Sequence, residues 1–82
     1  MLFEIEIHPD ARDDLASLPK KIQRQVDKKL LSLAQNPRPT QARRLQGNKD
    51  LWRIRSGDYR IIYEIRDHIM VVLVVRIGDR KD

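Results

Sequence analysis

Apolar and polar positions alternate at the start of the chain: Phe3, Ile5 and Ile7 against Glu4, Glu6 and His8. A period of two predicts a half-buried strand over Phe3 to His8, with both glutamates on its outer face. From Pro9 the period changes. Ala11, Leu15 and Leu18 follow helical spacing, and proline suits a first helical turn. Asp10, Asp13 and Asp14 are assigned here to the positive end of that helix. Leu18-Pro19 breaks the pattern, because the residue before proline is pushed out of the helical region. Ile22, Val26, Leu30, Leu33 and Ala34 then predict a longer helix from Lys20 to about Gln35, so Pro19 joins an αα-hairpin.

The segment Asn36-Pro37-Arg38-Pro39-Thr40 predicts a stiff connector. Beyond it the period of two returns. Strands are predicted over Leu51–Arg55, Tyr59–Arg66 and Ile69–Ile77, with turns at Gly57-Asp58 and Asp67-His68. The last of these strands is almost wholly apolar, as expected of one buried on both faces near a sheet centre. The fold class is therefore α+β: an N-terminal strand, an αα-hairpin and a three-stranded antiparallel meander. With 82 residues, a single domain over 1–82 is expected. No run is long and apolar enough to span a membrane, and nothing resembles a signal peptide. The absence of cysteine excludes disulfides and thiolate metal sites, and fits a cytoplasmic protein.

The hairpin organises the chemistry. If Gly57 and Asp58 form a two-residue loop, Ser56 faces Tyr59, Arg55 faces Arg60 and Arg53 faces Ile62. Arg53, Arg55 and Arg60 then share one face, although like charges set opposite each other destabilise a sheet. The meander also returns the end of its last strand beside Tyr59 and Arg60, which brings Arg80 toward the same end. Arginines on an exposed sheet face can simply be solvated; four converging from distant positions favour a polyanion ligand. The net charge of +5 is uneven: residues 1–42 carry seven Lys/Arg against six Asp/Glu, and residues 43–82 carry ten against six. This suits nucleic acid or an acidic protein. Lys20 and Lys21 at the hairpin tip, where a basic pair can reach a phosphate backbone, with Arg43, Arg44 and Lys49 before the second strand, are further candidates for contact with nucleic acid. Lys28 and Lys29 are read as a solvated helix face. Apolar Ile62, Leu73 and Val75 on the sheet side away from the helices suggest a protein partner.

No glycine-rich phosphate loop, HExxH, CxxC or nucleophile elbow is present, and His8 and His68 are isolated surface positions, so no metal and no cofactor is expected. Arginine remains. Guanidinium groups bind phosphate in a bidentate manner and neutralise the charge of a phosphorane, and RNA carries its own nucleophile in the 2′-hydroxyl.

Four segments carry a family resemblance that covers nearly the whole chain: Arg44-Leu45-Gln46-Gly47, Leu51-Trp52-Arg53-Ile54-Arg55, Gly57-Asp58-Tyr59-Arg60-Ile61-Ile62-Tyr63 and Ile77-Gly78-Asp79-Arg80. Together they resemble the RelE/ParE superfamily of toxins from toxin–antitoxin pairs, the RelE branch above all. The resemblance implies cleavage of messenger RNA in the ribosomal A site, leaving a 2′,3′-cyclic phosphate and a 5′-hydroxyl, and neutralisation by a cognate antitoxin. By position, Arg53 and Arg55 match a basic pair that is lysine in the best-known members. Arg60 matches the arginine of a Tyr-Arg motif, and Arg80 the arginine after the last strand. Two departures accompany it. Arginine in place of lysine lowers general-base capacity, and the tyrosine the family often carries a few residues past the last arginine has no counterpart before Asp82. The alternatives are a ParE-like inhibitor of DNA gyrase and an inactive nucleic-acid-binding module.

Overall fold

The computed structural model describes residues 2–45, 47 and 50–79. Element order is β1 (Glu4–Ile7), α1 (Pro9–Ala16), α2 (Lys20–Gln35), β2 (Arg43–Arg44), β3 (Leu51–Ser56), β4 (Tyr59–Arg66), a 3₁₀ turn (Asp67–Ile69) and β5 (Val71–Asp79). The strands form one sheet in the order β1-β5-β4-β3-β2. The predicted αα-hairpin and meander are present. Two features extend the sheet beyond three strands: β1 runs parallel to β5, and the two-residue β2 pairs antiparallel with β3.

Both helices pack on one sheet face. The core gathers Ala11 of α1, Val26, Leu30 and Leu33 of α2, Ile54 of β3, Ile61, Tyr63 and Ile65 of β4, and Val72, Val74 and Ile77 of β5. The α2 boundaries and stripe agree with the helical spacing in the sequence, with Pro19 as the residue before the first turn. The Gly57-Asp58 hairpin has the predicted register, with Arg55 opposite Arg60 and Arg53 opposite Ile62. Gly57 has φ 61° and Asp58 does not share it, the signature of a type II′ turn, which a side chain at 57 would strain.

Three expectations are corrected. The link between β4 and β5 is a 3₁₀ turn closed by Met70 in the left-handed conformation, so β5 begins at Val71 and not at Ile69. His8 is more than a strand end: its Nδ1 accepts the Asp10 amide at 3.1 Å and caps α1. Asp14 does not serve the helix N-terminus. It reaches across to β5, where it accepts Arg76 Nε at 2.8 Å and Nη2 at 3.2 Å, and the Ile77 backbone N–H at 2.9 Å.

That clasp has a topological cause. β1 covers only Val71–Val74 of β5, so the strand's second half lacks a neighbour on that side. There α1 takes the place of a strand, and a carboxylate satisfies an edge amide. A β-bulge between Ile62 and Tyr63 adds Val75 to the β5 side, so Tyr63 pairs with Val74 and Ile62 with Arg76.

The connector is fastened from the sheet. Tyr63 is fully buried and donates its hydroxyl to the Pro37 carbonyl at 2.7 Å. Burial pushes its phenol up to about 12, with nearby Arg38 opposing. Arg38 makes a two-pronged pair with Asp67 at 3.0 and 2.7 Å, which holds that carboxyl below its usual range.

A candidate nucleic-acid groove on the outer sheet face

Residues on β3 alternate strictly. Trp52, Ile54 and Ser56 face the helices, so Arg53 and Arg55 face outward. Pairing then sets Arg43 of β2 directly opposite Arg53, and Arg60 of β4 directly opposite Arg55. On the β2–β3 side these side chains border a groove of about 530 Å³, lined among the described residues by Lys29, Gln41, Arg43, Arg53 and Arg55. No carboxylate is in this lining. Among the described residues, none of these four cations has a carboxylate partner, whereas Arg38, Arg66 and Arg76 pair with Asp67, Glu64 and Asp14.

Arg60 shares the face but not the groove. Its guanidinium lies toward β5, about 3.6–3.8 Å from where a Cβ on Gly78 would be, and Nη1 donates to the Asp79 carbonyl. It borders a second, smaller hollow of about 260 Å³ with Asp14, Ile62, Arg76, Ile77 and Gly78. In that hollow Asp14 is held below the ordinary carboxylate range, first by its hydrogen bonds from Arg76 and then by the Ile77 amide, with desolvation opposing. Arg55 of the first hollow and Arg60 of the second are cross-strand partners.

The other candidate residues fall differently. Arg44 pairs with Trp52, on the helix side of β2, and its guanidinium lies 5.2 Å from the centre of the Trp52 ring, with Arg38 at 5.5 Å. It stacks on the aromatic and does not line the groove. Lys20 and Lys21 are exposed on the first turn of α2, which carries no acidic residue. They also do not line the groove. Lys49 and Arg80 lie outside the described residues. The groove instead recruits Lys29 and Gln41, which sequence reasoning had passed over. The one signal for Lys29 is its place beside buried Leu30, at the margin of the apolar stripe rather than opposite it.

A two-helix layer over one face of this five-stranded sheet is the architecture of a small toxin from a toxin–antitoxin pair. The family model described as ParE toxin of type II toxin-antitoxin systems matches residues 5–82, and the chain belongs to this RelE/ParE family of toxins. Its relatives fall on the RelE side. The chain is 32% identical over 83 residues to a putative RelE-like toxin protein of Escherichia coli, covering 99% of this chain and 86% of that one. It is 30% identical, with the same coverage, to the mRNA interferase toxin RelE of Escherichia coli K12. Among solved structures, it matches the archaeal RelE–RelB complex from Pyrococcus horikoshii with a TM-score of 0.85 and 30% identity, over 98% of this chain and 97% of that one. The RelBE2 toxin–antitoxin complex from Mycobacterium tuberculosis matches with a TM-score of 0.87 and 26% identity, over 98% and 100%.

Proposed function

We propose that this toxin is a ribosome-dependent endoribonuclease, which cleaves messenger RNA by attack of a 2′-hydroxyl on the adjacent phosphate, without a metal ion. The observation that carries the reading is the set of outward guanidinium groups without carboxylate partners at the β3–β4 hairpin. In the reaction the 2′-oxygen forms a bond to phosphorus and the bond to the 5′-oxygen breaks. The products are a 2′,3′-cyclic phosphate and a 5′-hydroxyl. Arg53 and Arg55 hold the scissile phosphate and neutralise the growing charge, with Arg60 acting from the β5 side and Arg80 added to the set by the family resemblance. Guanidinium stays protonated at any working pH, so these residues act through charge and position; the 2′ proton passes to solvent water, and the departing 5′-oxygen takes a proton from solvent water. Lys20, Lys21, Arg43, Arg44 and Lys49 supply contacts to RNA or to the ribosome. The naming of relatives as mRNA interferases supports the reaction class.

The same reading includes a cognate antitoxin. Structural neighbours are toxins solved with RelB antitoxins, and this chain exposes Leu2, Leu31 and Ile69, surface that a protein partner would cover. A ribosomal target implies action in the cytoplasm. A second reading, binding and inhibition of DNA gyrase, is favoured by the ParE description of the family model.

Primer extension on a reporter messenger RNA in a purified translation system separates them. Cuts that require ribosomes are the expected result. No cuts with or without ribosomes, together with inhibition of gyrase supercoiling, would replace the first reading by the second.

A further inference from the structure

Lys29 lines the groove from α2, whereas the arginines line it from the sheet, and among the described residues no carboxylate pairs with it there. It belongs to α2, whose buried stripe of Val26, Leu30 and Leu33 faces the sheet. Residues 25 and 29, one turn apart, share a helix face at the flank of that stripe. That face follows the β3 edge: Gln25 Oε1 lies 3.4 Å from where a Cβ on Gly57 would be, and Lys29 lines the groove beside Arg53 and Arg55. Lys28 is exposed, whereas Lys29 is half-buried. Half-burial of a lysine at a groove margin suits a side chain whose methylenes cover apolar surface while its ammonium stays solvated. Among the described residues that ammonium has no carboxylate partner, and it adds to the repulsion already present between Arg43 and Arg53.

We infer that Lys29 is a substrate-positioning residue: its ammonium grips a backbone phosphate of single-stranded RNA from the helix side, while Arg53 and Arg55 grip from the sheet side. The inference rests on the nuclease reading of the groove and adds a second wall to it. Arginine forks on a sheet present donors in fixed planes, and a lysine point charge opposite them closes on phosphate oxygens that the forks leave bare. The strand is thereby threaded between α2 and the β2–β3 edge rather than laid on an open face.

The test is the binding of a fluorescent, 2′-O-methylated single-stranded oligonucleotide, which cannot be cleaved, followed by anisotropy from low to moderate salt. Lys29→Gln should weaken binding about fivefold at 0.1 M salt and flatten the slope of log affinity against log salt by about 0.7, the value for one lost phosphate contact on a single strand. Lys29→Arg should restore both. Lys28→Gln should change neither. Binding by Lys29→Gln equal to that of the unaltered chain, an equal loss in Lys28→Gln, or no binding by the unaltered chain at low salt would each overturn the inference. The arginine variants tell the two failures apart. If Arg53→Ala weakens binding and Lys29→Gln does not, only the role of Lys29 falls; if neither does, the groove itself is not an RNA site.

Discussion

The β2–β3 side of the sheet and the β5–α1 side both carry arginine, but of their two hollows only the second has a carboxylate in its described lining. Arg76 is clasped by Asp14, and Arg60 donates to the backbone beside it. Arg43, Arg53, Arg55 and Lys29 face a groove with no carboxylate in its described lining. The chain has 12 acidic residues, so the difference is not a shortage of partners. Among the described residues, acids stand where an edge amide or a connector needs fastening and do not line the groove. An arginine inside an ion pair serves the fold; an arginine left facing its own kind holds repulsion that a phosphate relieves.

Three experiments press on this contrast. The largest effect is expected from Arg53→Ala with Arg55→Ala. Ribosome-dependent cleavage should fall by about a hundredfold or more, in line with the loss of preorganised charge at a transition state. The thermal midpoint should hold or rise, because like-charged neighbours are removed. A fall in stability equal to the fall in activity would make these arginines part of the scaffold and end the contrast.

Asp14→Ala addresses the other side. It leaves the Ile77 amide without its acceptor and frees Arg76, at a cost of about 1 kcal/mol, since the Arg76 side chain is itself largely exposed to solvent. For a domain of this size that is about 4–8 °C in melting temperature. The native Asp14 binds a proton less readily than the unfolded chain does. Its contribution is therefore complete above the ordinary carboxylate value of 3.8 and is lost as pH falls through the lower native value. Melting curves of the two chains should differ at neutral pH and approach each other as pH falls below 3.8. A gap that persisted into acid would assign the clasp to something other than the carboxylate.

The smallest effect on stability, and the most direct test, comes from giving the groove the carboxylate it lacks. Arg43→Glu places an opposite charge across from Arg53. It should stabilise the fold by about 0.2–1 kcal/mol while reducing cleavage. A gain in both would show that the groove does not depend on its repulsion.

The parts of this molecule legible in its sequence are those decided within a few residues. The Gly57-Asp58 turn sets the hairpin register, and the α2 stripe sets which helix face is buried. Arg53, Arg55 and Arg60 could be placed on one face from those signals alone. The rest depends on partners far along the chain. Asp14 meets Arg76 across a separation of 62 residues, and a helix-end aspartate looks the same whether or not such a partner exists. β2 is two residues long, too short for any periodicity to show. Lys29 looks like a solvated lysine until β3 is laid against its helix. Arg60 could be assigned to a face but not to a side, because its guanidinium turns toward a strand that is known only after folding.

The bulge at Val75 lets one strand be read in two frames. From Val71 to Val74, even-numbered residues point to the helices, and continued unbroken that phase would turn Arg76 into the core and Ile77 away from it. The extra residue shifts the frame by one, so that Ile77 goes in and Arg76 comes out beside Arg60. The bulge is therefore a correction of reading frame in three dimensions: were Val75 laid into a regular ladder instead, every residue from Arg76 to Asp79 would exchange inside for outside, although each one would still be present in the chain.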